Sequence, residues 1–153
     1  MPNPRSTAQI AGHPLHPMII PFPIAFFVSV FVCDIAFKSS GNPAWATAAL
    51  WLLGAGLIMA ALAAVLGLTD FAGEPRIRAL NDAWWHAGIN VLAVLISLYN
   101  FFIRYSDPTS AGTKGLIISL IVVCLLLVSG WKGWEMVYRH HVGVSDEPPP
   151  MVR

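Results

Sequence analysis

The stretch Gly12-His13-Pro14-Leu15-His16-Pro17-Met18-Ile19-Ile20-Pro21-Phe22-Pro23 opens the first long apolar segment of the chain. It holds two histidines and four prolines. Histidine is the commonest metal ligand among the side chains. The stretch therefore places two potential ligands where the chain enters an apolar segment.

The composition is that of an integral membrane protein. Of 153 residues, 56% are hydrophobic and only 11% are charged, whereas an ordinary soluble domain has roughly 25% charged residues. The net charge of +1 gives no reason to expect the basic patch that nucleic-acid-binding proteins carry. Cys33 and Cys124 both lie inside apolar runs and do not indicate a disulfide framework.

Four apolar runs are each close to the roughly 20 residues that a helix needs to cross a bilayer. They cover residues 17–37, 45–68, 82–103 and 115–138. Short loops make neighbouring helices antiparallel, so the chain is predicted to be all-α, an up-down-up-down four-helix membrane bundle with both termini on the same side. The predicted domains are a collar at 1–16, a transmembrane domain at 17–144 and a disordered tail at 145–153.

The first run is expected to remain as a membrane anchor, because no A-x-A-like cleavage site follows a short apolar core. We call the side with both termini the terminal face and the other side the opposite face. The cations assigned to the terminal face are Arg5, Arg76, Arg78, Lys132, Arg139 and Arg153. Those assigned to the opposite face are Lys38, Arg104 and Lys114. The excess predicts that the termini are cytoplasmic.

Prolines shape the start of the first run. Pro21 and Pro23 lack backbone donors and should distort the opening turns of the helix. A residue before proline disfavours helical backbone angles. We therefore expect His13 and His16 to form an extended collar over the bundle.

The second run carries small residues at helical spacing: Gly56, Ala60, Ala64 and Gly67. In lipid such a face lets helices approach closely. The alternative is that these small side chains leave space on the helix for a flat cofactor.

The third run carries one stripe of polar and small residues, at spacings of three and four: Asp82, His86, Asn90, Ala93, Ser97 and Asn100. Residues at this spacing share a helix face. Polar groups inside a membrane point into the bundle and are candidates for function, so we expect the stripe to face the other helices.

All five histidines fall at the terminal face in this topology: His13, His16, His86, His140 and His141. Asp70, Glu74, Asp82 and Glu135 lie at the same level. Glu135 also has helix-face spacing to Lys132 and Arg139, which predicts two ion pairs.

The cluster allows two kinds of cofactor site. A bis-histidine haem b needs two imidazoles on facing helices, and His13 or His16 with His86, or His86 with His140, would supply them. Asp82, one turn before His86, would orient that imidazole. Alternatively, several imidazoles with Asp70 or Glu135 would hold one transition-metal ion. Spacing leaves both open.

Several motifs of the chain resemble the DUF2231 family of bacterial membrane proteins. They are the His-Pro-Leu-His-Pro motif at 13–17, Phe22-Pro23, the stretch 67–70, His86 with Asn90, and the stretch 137–144. The resemblance spans residues 12–144 and implies a bacterial inner-membrane location. It also implies paired roles for the His13, His16, His86 and His140 positions.

Some members of this family are fused to Rieske-type or cytochrome c domains, which implies electron transfer. Some have a histidine where this chain has Pro21, and His141 stands where relatives often have glycine. The first difference argues against a ligand at position 21, and the second favours His140 over His141 as a ligand.

The expected function is that of a haem b cytochrome-like protein that passes electrons between a membrane carrier such as quinone and a redox partner. His13, His16, His86 and His140 are the candidate ligands, with Asp82 and Asn90 beside them. The alternatives are a non-haem metal-binding protein and a non-catalytic subunit or assembly factor of a redox complex, and an oligomer is compatible with each. The sequence has no paired nucleophile and base and no phosphate-binding loop, so nothing in it indicates a hydrolase or a transferase.

Overall fold

Four long helices form the protein, as a computed structural model describing residues 2–146 shows. The helices are α1 (Leu15–Ile19), α2 (Pro21–Ser40), α3 (Pro43–Gly73), α4 (Pro75–Arg78), α5 (Asn81–Ser106) and α6 (Lys114–Tyr138). The pair α1 and α2 runs as one span, and α3, α5 and α6 are the other three helices long and apolar enough to cross a membrane. The predicted all-α membrane bundle is confirmed.

The first span is interrupted where its prolines lie. Ile20 separates α1 from α2, and its backbone remains near helical, with φ −58° and ψ −26°. Its N–H still bonds the His16 carbonyl at 3.1 Å. Pro21 then occupies the first position of α2, where a missing N–H is tolerated. The predicted distortion is thus an interruption of one residue.

The extended collar was predicted correctly for His13 but not for His16. His13 lies in β2 (His13–Pro14), which pairs with β1 (Gln9–Ile10) in a two-stranded antiparallel hairpin. His16 is helical, because it is the second residue of α1. Pro17 then stands third in the helix, where a backbone N–H has no partner within the helix anyway.

Both described ends of the chain meet at one end of the bundle. The Asn3 N–H donates to Asp146 Oδ1 at 2.9 Å, and the Gly143 N–H donates to the Pro4 carbonyl at 2.8 Å. The two ends therefore lie at the same face, as four spans require. The predicted tail at 145–153 lies outside the described residues except for Ser145 and Asp146.

The small-residue face of α3 packs against α2 at Gly56 and against His16 of α1 at Gly67. A Cβ added at Gly56 would lie 2.7 Å from Phe27 Cε1, and Ala60 is buried. At Gly56 this face has no room for a porphyrin, because Phe27 of α2 already lies against it. Close helix approach in lipid, the other reading of the pattern, accounts for the residues.

The polar stripe of α5 faces the interior and extends one turn further than its predicted end. Ala93, Ser97 and Asn100 are buried, and Arg104 is only 1% exposed. Helix α5 continues to Ser106, so Arg104 lies within the helix and not beyond it, as the predicted run 82–103 had placed it. The connection to α6 is a 3₁₀ helix, Pro108–Gly112.

Candidate functional site

Two of the five histidines meet between the helices near the terminal face. The ring centroids of His16 and His86 are 6.2 Å apart, and the ring planes are nearly perpendicular at 87°. His16 comes from α1 and His86 from α5, and both are half-buried. We call these two residues the histidine pair.

Backbone carbonyls determine which nitrogen of each ring carries a proton. His16 Nδ1 lies 2.8 Å from the Ala63 carbonyl oxygen, and His86 Nδ1 lies 2.9 Å from that of Ser129. A carbonyl can only accept a hydrogen bond, so each Nδ1 is the donor. In the neutral ring Nε2 then keeps its lone pair, which is the usual arrangement for a metal-ligating histidine.

Glycines on the neighbouring helices make room for the histidine pair. A Cβ added at Gly67 of α3 would lie 3.0 Å from His16 Cε1. A Cβ added at Gly133 of α6 would lie 3.1 Å from His86 Cε1. Each imidazole thus packs against the backbone of an adjacent helix, which restricts its orientation.

Asn90 is the side chain that holds His86 from within α5. Its Nδ2 lies 3.1 Å from His86 Nε2 and donates to the His86 carbonyl at 2.9 Å. Because an amide N–H can only donate, His86 Nε2 accepts this bond. A metal at His86 Nε2 would require the Asn90 amide to turn away.

Asp82 does not bond to His86, so the predicted orienting role is wrong. Its Oδ2 lies 2.9 Å from His140 Nε2, and its Oδ1 accepts from Lys132 Nζ at 3.0 Å. Lys132 also pairs with Glu135 at 2.6 Å, and Arg139 lies 3.7 Å from Glu135. These contacts confirm the two predicted ion pairs of α6. The two bonds of Asp82 tie α5 to the end of α6.

Asp70 anchors the segment before the hairpin. Its Oδ1 accepts from Ser6 Oγ at 2.8 Å and from the Ala8 N–H at 2.7 Å. Among residues 2–146 no group of three or more His, Cys, Asp or Glu side chains could hold a metal ion. The histidine pair is therefore the best candidate ligand set.

His13 lies apart from the histidine pair, at a groove on the terminal face. The groove has a volume of about 440 Å³. Its lining comes from His13, Pro14, Pro17 and Met18 on one side, and from Val137 and 142–144 on the other. His141 is exposed, with a left-handed backbone at φ +53°.

A buried ion pair near the opposite face was not anticipated from the sequence. Arg104 donates from two nitrogens to the two oxygens of Asp34, both at 2.6 Å, and neither side chain is more than 1% exposed. Asn100 Oδ1 accepts from Arg104 Nε, and Ser119 Oγ donates to Asp34. The signal was the four-residue step from Asn100 to Arg104, which continues the stripe.

Comparison with known proteins identifies the family. No curated protein and no solved structure matches the chain. The profile of the family described as "predicted membrane protein (DUF2231)" matches residues 12–146. That range includes the His-Pro-Leu-His-Pro motif, the histidine pair and all four spanning helices. The chain therefore belongs to the DUF2231 family of predicted membrane proteins.

Proposed function

We propose that this membrane protein transfers electrons through a b-type haem that His16 and His86 would hold. The observation that carries the proposal is the histidine pair itself. Two imidazoles from different helices lie together, and each is oriented by an Nδ1 hydrogen bond to a backbone carbonyl. His16 Nε2 keeps a lone pair for a metal, and His86 Nε2 would offer one once the Asn90 amide turned away.

The two rings lie close enough to act together. Their centroids are 6.2 Å apart, and their planes meet edge to face at 87°.

The number of protein ligands favours haem over a bare ion. A structural zinc takes four protein ligands and a catalytic zinc takes three, whereas haem brings four nitrogens and needs only two axial ligands. Asp70 and Glu135, which would complete a non-haem site, are hydrogen-bonded or ion-paired elsewhere. A haem would lie at the half-exposed histidine pair, since α2 occupies the small-residue face of α3 at Gly56.

Haem would supply one-electron redox chemistry, and the residues of this chain would position it. The Ala63 and Ser129 carbonyls hold the two imidazoles in the tautomer that ligates through Nε2. Gly67 and Gly133 leave the space that those orientations require. The exchange partners in this proposal are a membrane carrier such as quinone and a redox protein docking at the terminal face, on the cytoplasmic side of a bacterial inner membrane.

The test is an absorption spectrum of the protein purified in detergent from its own membranes, oxidised and dithionite-reduced, with metal analysis of the same sample. We expect a Soret band and sharp reduced α and β bands, with one haem per chain. His16→Ala and His86→Ala should each abolish the bands. His141→Ala is the matched control, because that exposed histidine lies outside the pair, and its spectrum should match the parent.

Two results would contradict the proposal. A colourless protein with one bound metal ion per chain, lost in the same two variants, would favour the non-haem alternative. A colourless and metal-free protein, after cofactor loss during purification has been excluded, would favour a non-catalytic subunit of a redox complex.

A further inference from the structure

We propose that the groove beside His13 binds the head group of a lipid-soluble quinone. The inference rests on the proposed electron-transfer function and names the site of its membrane carrier. The groove lies on the face that holds the histidine pair, and Pro14-Leu15 connects its His13 to His16.

Both ends of the chain fold over the bundle to build this groove. The hairpin and the start of α1 supply one wall, and residues 142–144 supply the other. The Gly143 N–H bonds to Pro4, and a Cβ at Gly143 would lie 3.2 Å from Pro14 Cγ. The walls are thus held together by direct contact between the two ends.

The chemistry of the lining selects among membrane-soluble ligands. The walls are proline, methionine, valine and glycine, and His13 is the one polar side chain among them. A phospholipid head group would require a cationic partner for its phosphate, and the lining has no Lys or Arg. A quinone head is flat and uncharged with carbonyl acceptors, so apolar walls with one imidazole donor are sufficient.

The size of the groove is also suitable. Its volume of about 440 Å³ lies within the roughly 300–1,000 Å³ typical of small-molecule sites. Met18 is exposed at the lipid-facing start of the first span, so a long apolar tail can leave the groove along the bundle.

The test measures equilibrium binding of a radiolabelled ubiquinone analogue with a decyl tail to the full chain in lipid nanodiscs. We expect His13→Leu to weaken binding about tenfold, because a desolvated carbonyl loses its donor. Val144→Trp, which fills the groove, should abolish saturable binding. His141→Leu is the matched control and should bind as the parent does, and decanol, which has the tail without the ring, should not compete.

Unchanged binding in both His13→Leu and Val144→Trp would overturn the inference, and so would effective competition by decanol, which would identify the groove as a lipid-tail site. Thermal unfolding of each variant shows whether it is folded. The assay does not need haem. His86→Ala should therefore still bind the analogue, and a failure of the proposed haem site would be seen separately from a failure of the groove.

Discussion

At the scale of single residues, the Asp34–Arg104 pair is a fully buried ion pair inside the bundle. It joins α2 to α5, and Ser119 adds α6 through its bond to Asp34. Gly115 lets the guanidinium approach, since a Cβ there would lie 2.9 Å from an Arg104 nitrogen. A charge in a membrane interior is costly unless it is paired, so each partner makes the other tolerable.

Removing one partner of this pair should be severely destabilising. We expect Asp34→Leu or Arg104→Met to lower the free energy of unfolding by about 3–5 kcal/mol, because the remaining charge stays buried and unpaired. The double variant should lose clearly less than the sum of the two single losses. Unfolding in mixed detergent micelles with increasing dodecyl sulfate, followed by tryptophan fluorescence, measures all four proteins. Additive losses would show that the two charges do not stabilise each other.

At the scale of elements, α6 offers a matched pair of glycines. Gly130 has open space where a Cβ would be, whereas a Cβ at Gly133 would contact the His86 ring at 3.1 Å. Alanine generally favours a helix over glycine by roughly 0.8–1 kcal/mol. The two positions should therefore respond in opposite directions to the same change.

Gly130→Ala is expected to raise the stability of the protein slightly, and Gly133→Ala to lower it by displacing His86. The same micelle unfolding assay compares the two variants with the parent. If the proposed haem is present, Gly133→Ala should also broaden or reduce the Soret band while Gly130→Ala leaves it intact. Equal behaviour of the two variants would show that Gly133 is not needed for the position of His86.

The turn between α3 and α5 contains a carboxylate with a strongly perturbed pKa. Glu74 caps the short helix α4, and both of its oxygens accept bonds from the Arg76 side chain, at 2.9 and 2.7 Å. Mainly through these bonds, Arg76 lowers the pKa of Glu74 to about 2, from an ordinary value of about 4.3. The folded state therefore binds the Glu74 proton less readily than the unfolded state.

This difference makes the contribution of Glu74 to stability dependent on pH. It should be fully present above about pH 4.3, decline as the pH falls, and be lost once the pH passes below about 2. Thermal unfolding of the parent and of Glu74→Gln at pH 6, 4, 3 and 2 measures it. The difference in melting temperature between the two proteins should shrink as the pH falls. The melting temperature of Arg76→Gln, which removes the partner of Glu74, should approach that of the parent in the same way. A difference that does not depend on pH would contradict the lowered pKa of Glu74.

The elements were more predictable than the contacts between them. Apolar runs of spanning length determine the four helices, because lipid requires every backbone group to bond within its own helix. Asp82 shows where prediction from spacing fails. Its spacing predicts a contact with His86 on the same helix, but its partners are Lys132 and His140 of the α6 end. Spacing within a helix could not predict the Asp34–Arg104 pair either, because its two residues are 70 positions apart in the sequence. Spacing within a helix predicts a shared face, and tertiary packing decides what that face meets.

At the scale of the whole molecule, the buried ion pair changes the balance of charge between the two faces. Arg104 is enclosed in the bundle rather than exposed in a loop. Among residues 2–146 the opposite face then keeps only Lys38 and Lys114 outside the core, against the following cations at the terminal face: Arg5, Arg76, Arg78, Lys132 and Arg139. Under the positive-inside rule this distribution predicts cytoplasmic termini.

Labelling of single cysteines in intact bacterial cells tests this orientation. In a Cys33→Ala/Cys124→Ala background, Ser39→Cys places a thiol on the exposed end of α2 at the opposite face, and Gln9→Cys places one on the exposed hairpin at the terminal face. We expect a membrane-impermeant maleimide to label the Ser39→Cys protein in intact cells. It should label the Gln9→Cys protein only after lysis, because lipid separates the reagent from a cytoplasmic thiol. The reverse pattern would put the histidine pair and the His13 groove on the outer side of the membrane, and the redox partner would then have to dock from that side.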